Sequence, residues 1–257
     1  MEPIKATVII SVYKKLDYLL LILDFLEKQS FKNFEVIVAE DDDSLIFDTN
    51  RYSFKVKHLQ QKDEGFRKAR ILNKAIVKSE AENLIFLDGD CVPHFKLVEE
   101  YVGILHSFDW ACGRRVFLHE KLTGRILHKG TISLFELIVF PTRNIKEAIY
   151  LSFKNPLRSK SKKLKGCNWA IRKQNLLEIN GFDMDYKVPS NGEDSDMEER
   201  FKMQKWKGIN MCNKCVTYHL HHEKNYNSIN FKNNKKMMLE KLKSNTSWRE
   251  NGITALT

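Results

Sequence analysis

The chain has 257 residues, 42% of them apolar, and a formal charge of +10. That apolar share is normal for a globular protein with a real core. The longest apolar stretches, "YLLLILDFL" and "TISLFELIVF", reach about half a membrane span, which excludes a membrane-spanning chain and leaves a soluble or peripheral one. The positive charge favours an anionic partner (nucleic acid, a nucleotide or an acidic membrane surface) without choosing among them.

In chain order, residues 7–13, "TVIISVY", read as a buried strand. Leu16, Leu19, Leu20, Leu23 and Leu26 then recur at helical spacing, so 15–28 is expected to be an amphipathic helix. "FEVIVAEDDDS" is a second strand running into an acidic turn, "VKHLQQ" a short third strand, "FRKARILNKAIVKSEA" a helix and "NLIFLDGD" a fourth strand. A further helix spans Phe95 to Leu105. Strands alternating with helices in this rhythm predict an α/β fold, a mostly parallel central sheet with helices on both faces.

Past residue 107 the alternation weakens. "WACGRRVFL" is expected to be a strand, 131–153 partly apolar helix, and 154–165, "KNPLRSKSKKLK", a basic mobile loop. "GCNWAIRKQNLLEINGF" reads as a strand and short helix closed by Gly181. Helix is expected over 193–207, strand over 210–220 and a Lys-rich helix over 229–243. No internal repeat is visible. The expected organisation is one compact unit: a nucleotide-binding half over 1–107, an acceptor-binding half over 108–225 and a basic tail over 226–257.

"FLDGDC" ends an apolar strand in two carboxylates, Asp88 and Asp90. In parallel α/β sheets ligands bind beyond the carboxyl ends of the strands, and both this turn and the acidic turn at 40–43 sit at such ends. Residues two apart on an extended chain point the same way. Two carboxylates so placed suit a hard divalent cation. An ordinary Asp-Gly turn is the competing account.

Together, "VIISVY", "EVIVAED", "KDEGFRKARILNKAI" and "LIFLDGDCVPH" resemble the N-terminal half of inverting family-2 glycosyltransferases of the GT-A fold. "GCNWAIRKQNLLEINGFDMDY" with "GEDSDMEERF" resembles the acceptor half of β-1,4-galactosyltransferases and chondroitin-type polymerases. The resemblance spans roughly residues 4–225 and implies a GT-A, Rossmann-like sheet in a single compact domain. It implies that Asp88 and Asp90 bind a manganese or magnesium ion bridging a sugar nucleotide's diphosphate, Asp90 directly and Asp88 nearer the ribose. The acidic turn would meet uracil or ribose through Asp41, with Glu40 and Asp42 in the same turn. Arg67 and Arg70 would border the nucleotide. Asp194 would be the catalytic base and Glu193 would hold an acceptor hydroxyl, with Asn168 and Trp169 on the acceptor side. The family's Trp-Gly signature before the "GED" motif is absent here, where the chain reads "VPSNGED". A histidine would complete the metal site, His219 first and His222 second.

Acids at the start and lysines at the end of the 193–207 helix also suit the helix dipole, which is account enough for Asp196, Glu198 and Glu199. "CNKC" offers a rival reading: Cys212, Cys215, His219 and His222 as a structural zinc site in a basic nucleic-acid-binding module. In a strand, positions 212 and 215 would face opposite sides, and the acidic clusters would repel phosphate backbones. The five cysteines have irregular spacing and are expected to be reduced thiols. The start shows no signal-peptide pattern. The expected setting is the cytoplasm, with the inner face of its membrane in reach of the basic segments and the apolar stretch before them. The expected partners are a UDP-sugar and a glycan or lipid-linked acceptor of bacterial cell-surface polysaccharide, not nucleic acid. A fold that binds sugar nucleotides without catalysis is disfavoured, because Asp88, Asp90 and Asp194 are all present.

Overall fold

The computed structural model describes residues 2–152, 163–189, 192–223 and 228–256. Its first half is β1 (Ala6–Val12), α1 (Leu16–Glu27), β2 (Phe34–Glu40), β3 (Val56–Leu59), α2 (Lys68–Lys78), β4 (Asn83–Asp88), β5 (Cys91–Pro93) and α3 (Leu97–Ile104). The second half is β6 (Trp110–Cys112), β7 (Arg114–Phe117), α4 (Glu120–Lys129), α5 (Leu134–Val139), β8 (Asn168–Arg172), α6 (Lys173–Glu178), α7 (Glu193–Met203), β9 (Gly208–Asn210), β10 (Val216–His219) and α8 (Ser228–Leu242). A seven-stranded sheet has the order β3-β2-β1-β4-β8-β6-β9, and a three-stranded sheet the order β5-β10-β7. The large sheet is parallel except for β8, which runs antiparallel to both β4 and β6.

Strands buried on both faces carry unbroken apolar runs rather than alternation. In β1, Val8 and Ile10 join the core built on the leucines of α1, while Ile9 joins the core built on Ile71, Leu72 and Ala75 of α2. This fold is mixed α/β with helices on both faces, and the large sheet draws strands from both sides of residue 107.

Three runs that read as continuous in the sequence are broken in the structure. "WACGRRVFL" divides at Gly113 into β6 and β7, which belong to different sheets. A Cβ on Gly113 would lie 2.2 Å from the Cys215 carbonyl oxygen and 2.3 Å from Asn168 Nδ2, so only glycine fits where the two sheets meet. The 210–220 run divides into β9 and β10 around a turn in which Lys214 and Cys215 amides both donate to the Met211 carbonyl. Of the expected 131–153 helix, the described residues form α5 and a 3-10 turn over Ile145–Ala148. Residues 154–162 of the basic segment lie outside the described residues. Leu164 at its end is buried, its amide donating to Glu198 Oε2 at 3.0 Å.

Ion pairs fasten the C-terminal residues to α7 and to the segment before it. Arg200, fully buried, donates to Asp196 at 3.2 Å and to the carbonyls of Ile179 and Gly181. Arg249 donates to the other oxygen of Asp196 at 2.8 Å, and Lys241 bridges Asp183 and Asp185.

Candidate active site

Val12, Glu40 and Asp88 end three adjacent parallel strands, and the chemistry-bearing residues gather at this edge. The chain is not extended across 88–90. The Gly89 amide donates to the Ser11 carbonyl at 2.7 Å, and a Cβ there would meet that oxygen at 2.9 Å. The resulting turn sends the two aspartates to different partners, correcting the expectation that they share one direction. Asp88 Oδ1 accepts from Ser11 Oγ at 2.9 Å and from Lys68 Nζ at 2.7 Å.

Asp90 faces β10. Its Oδ2 lies 3.1 Å from His222 Nε2 and 3.5 Å from His219 Nε2, and Oδ1 accepts from the Cys91 thiol at 3.2 Å. Burial pushes the Asp90 carboxyl up, but the His222 hydrogen bond, the His219 charge and the Cys91 thiol outweigh it and hold the group at about 2. Burial lowers His219, whereas the hydrogen bond to Asp90 raises His222. The ligand atoms of these three residues lie within 4.8 Å of one another, the one such group among the described residues. His222 Nδ1 sits 2.8 Å from the Glu223 carbonyl oxygen. That contact holds the Nδ1 proton and directs Nε2 at Asp90, as a carbonyl does for a histidine whose other nitrogen ligates a metal. One carboxylate and two imidazoles fit a divalent transition-metal ion such as manganese better than magnesium, which prefers oxygen throughout. Asp88 is not in this group. His221 is exposed.

The N-termini of α2 and α7 meet beside Asp88. Lys68, first residue of α2, lies between Asp88 and Glu193, whose Oε1 is 3.9 Å away. Glu193 is buried and its Oε2 has no hydrogen-bond partner. Burial, with the neighbouring Asp194 charge adding to it, raises its carboxyl to about 8 against the pull of Lys68. Asp194 is half-buried and its Oδ2 accepts from the Gly166 amide at 3.2 Å. A Cβ on Gly166 would come within 2.7 Å of that oxygen. A small pocket here is lined by Ser11, Lys68, Gly166, Trp169, Glu193 and Asp194.

The turn after β2 is largely self-satisfied. Glu40 is fully buried: Oε1 accepts from the amides of Ser44 and Leu45, and Oε2 meets His58 Nε2 at 2.6 Å and Gln60 Nε2 at 3.1 Å. Asp41 accepts from Gln61 Nε2 at 2.6 Å and from the Arg67 amide at 2.7 Å, so it anchors the entry to α2. Burial raises the Asp41 carboxyl, partly offset by those two hydrogen bonds. Asp42 accepts from Ser44 Oγ, and Asp43 is exposed. Arg67 pairs with Glu64 at 2.6 Å and leaves a buried Nε without a partner. Arg70 is half-buried in the first turn of α2.

Asn168 and Trp169, expected to meet the acceptor, are buried and have other tasks. Asn168 Oδ1 accepts from Tyr101 Oη at 2.7 Å, and its Nδ2 donates to the carbonyls of Arg114 and Cys215. It thereby joins the two sheets, a role its polarity alone does not reveal. Trp169 stacks on Phe86 at 4.4 Å and floors the pocket. The "CNKC" cysteines are both buried and free: Cys212 accepts from Arg114 Nε at 3.3 Å, and neither joins the histidines.

Three residues at this edge escaped sequence reasoning. Lys68 stands between Arg67 and Arg70 in a stretch already singled out, but its two carboxylate partners come from distant segments. Tyr13 presents a half-exposed ring just past β1, its hydroxyl donating to Asp63 at 3.1 Å. Arg115 donates to the Cys167 thiol at 3.3 Å and lies over the Phe117 ring, which is 5.1 Å from that of His219.

The model of the family "Glycosyl transferase family 2" matches residues 7–173. Among curated proteins, the amylovoran biosynthesis glycosyltransferase AmsB of Erwinia amylovora is 24% identical over 153 residues, covering 57% of this chain and 49% of that protein. The chain thus spans about half the length of that relative. Among solved structures, S. aureus TarS 1-349 in complex with UDP-GlcNAc has a TM-score of 0.58 at 19% identity, covering 93% of this chain and 66% of that one. The mannosyltransferase PcManGT from Pyrobaculum calidifontis, in complex with GDP-Man and Mn2+, has a TM-score of 0.56 at 16% identity, covering 88% and 59%. These likenesses show a GT-A fold.

Proposed function

The chain belongs to glycosyl transferase family 2, and on that premise we propose that it moves a sugar, with inversion, from a UDP-sugar to a glycan or lipid-linked acceptor. The observation that carries the reading is the convergence at one sheet edge of Asp90, His219 and His222 with the pocket holding Glu193 and Asp194. A divalent cation held by Asp90, His219 and His222 would supply positive charge to a departing diphosphate, so that the leaving oxygen needs no proton. Manganese is the first choice from the mixed nitrogen and oxygen donors, and the PcManGT complex contains that ion.

Asp194 takes the proton from the attacking acceptor hydroxyl. Glu193, with its carboxyl at about 8, is protonated at neutral pH and so holds a hydroxyl rather than abstracting a proton. The exposed face of Tyr13 offers a stacking surface for the base, and Arg67 and Arg70 add positive charge near the nucleotide. TarS was solved with UDP-GlcNAc and PcManGT with GDP-Man, so the neighbours support a nucleotide sugar. The uridine base is our choice. Cell-surface polysaccharide is the expected setting, in keeping with the name of the amylovoran relative.

Calorimetric titration with UDP, with and without manganese, on wild type and Asp90→Ala tests the reading. Binding that needs manganese and vanishes in the variant supports it. Absence of binding to UDP and to nucleotides of every other base, with the ion present, overturns it.

A further inference from the structure

Helix α5 turns most of its apolar side chains outward. Leu134 is 54% exposed, Phe135 74%, Ile138 65% and Val139 57%, and Leu137 alone is buried. Scattered exposed apolar residues need no account, but four large ones on one two-turn helix form a contiguous patch of the kind that marks a contact surface. Gly130 ends α4 at φ +66°, and Ser133 starts α5, its Oγ accepting from the Glu136 amide at 3.2 Å.

The surround is cationic. Arg125 and Lys129 of α4 approach Glu136 at 3.6 and 3.3 Å. Glu136 is the one acid of α5, so its charge is cancelled twice over. Arg125 lies over the Phe140 ring, and Lys28 donates to the Gly130 carbonyl at 3.1 Å. Arg143, exposed, pairs its backbone with Phe117.

We propose that the α4–α5 corner docks on an anionic lipid bilayer, with Leu134, Phe135, Ile138 and Val139 entering the headgroup–acyl boundary and Lys28, Arg125, Lys129 and Arg143 meeting the headgroups. Apolar insertion within a basic rim is the physical signature of interfacial binding. A second copy of this chain fits less well, because a two-fold contact would set each cationic rim against its own image. The docking stands apart from the glycosyltransferase reading. Where both hold, they join: Arg143 is bridged to Phe117, whose ring lies 5.1 Å from that of His219, so the docking corner and the metal cluster are linked through one side chain.

Flotation of the full chain with vesicles of phosphatidylcholine alone, or mixed with phosphatidylglycerol, tests it. Wild type is expected to float with the mixed vesicles and not with the neutral ones. Phe135→Ser/Ile138→Ser should lower the partition coefficient by roughly tenfold or more, and Arg125→Gln/Lys129→Gln should reduce binding and flatten its salt dependence. All four side chains are exposed or paired at the surface, and unchanged melting of the variants checks their folding. Wild type that floats with neither vesicle overturns the proposal. So does an apolar double variant that binds like wild type. So does a light-scattering dimer abolished by the same substitutions, without flotation. UDP titration on the same samples separates the two readings: flotation without UDP binding leaves the docking standing and counts against the UDP-sugar donor alone.

Discussion

Lys68 Nζ lies 2.7 Å from Asp88 Oδ1, and this pair joins the first residue of α2 to the end of β4. The same ammonium is 3.9 Å from Glu193 at the start of α7. Three segments far apart in sequence therefore share one cation. Burial pushes the Lys68 ammonium toward its neutral form, but the charges of Asp88 and Glu193 outweigh burial and hold it protonated.

Lys68→Met should expose what that cation does. Among the described residues, Asp88 would keep only Ser11 and Glu193 would lose its one ion-pair partner. Breaking a largely buried pair by removing one partner is costly, and with a fifth of the lysine side chain still exposed the expected loss is about 1–3 kcal/mol. Urea denaturation measures it. An unchanged midpoint would mean that solvent screens the pair completely.

Glu193 makes stability depend on pH. Its folded carboxyl titrates at about 8, above the ordinary 4.5, so between these values the native state keeps a proton that the unfolded chain releases. The contribution is full below the unfolded value and is lost as pH rises through the folded one, with a slope of at most about 1.4 kcal/mol per pH unit. Glu193→Gln should flatten the curve over this window, because the amide cannot ionise. Urea midpoints of both proteins across the window decide the matter, and parallel curves would refute the assignment.

Asp194→Asn keeps an oxygen for the Gly166 amide and removes the capacity to take a proton. Turnover should fall by about 10²–10⁴-fold, the range for a lost general base, while manganese-dependent UDP affinity stays nearly unchanged. Initial rates and calorimetry on the same preparation test both halves. An equal loss of nucleotide binding would remove Asp194 from the role of base.

Much of the fold is legible because β1, β2 and β4 are short apolar runs with helices of clear period between them. The same runs end in Glu40, Asp41 and Asp88, so the site's edge is legible too. What escapes is set by partners remote in sequence. Strand alternation aims Asp88 and Asp90 together, but Gly89 bonds Ser11 and turns the chain, so Asp90 goes to His219 and His222 while Asp88 goes to Lys68. The "CNKC" run reads as strand because its composition is apolar around it, while the Met211 carbonyl closes it as a turn. Glu40 and Asp41 look like free ligands until His58, Gln61 and the Arg67 amide are seen to claim them.

Asn168→Ala separates the structural role of that residue from an acceptor contact. The amide is fully buried and holds Tyr101 Oη, the carbonyls of Arg114 and Cys215, and Thr217 Oγ1. Its truncation takes the acceptor from the Tyr101 hydroxyl proton, a buried loss of about 1–3 kcal/mol, and one donor each from the Arg114 and Cys215 carbonyls, which keep Thr217 Oγ1 and the Arg114 amide. The Gly113 amide still donates to Tyr101 Oη at 2.8 Å and both carbonyls keep a partner, so the expected total is about 2–4 kcal/mol rather than the cost of three unsatisfied groups. Gly113→Ala should act on the same junction by a different cause, driving a methyl into Cys215 and Asn168. Because both changes strain one contact, the double variant should lose less than the sum of the singles. Urea denaturation of the four proteins gives the coupling. Additive losses would show that Asn168 and Gly113 act independently, and an Asn168→Ala protein of wild-type stability with weakened acceptor use would return Asn168 to the acceptor site.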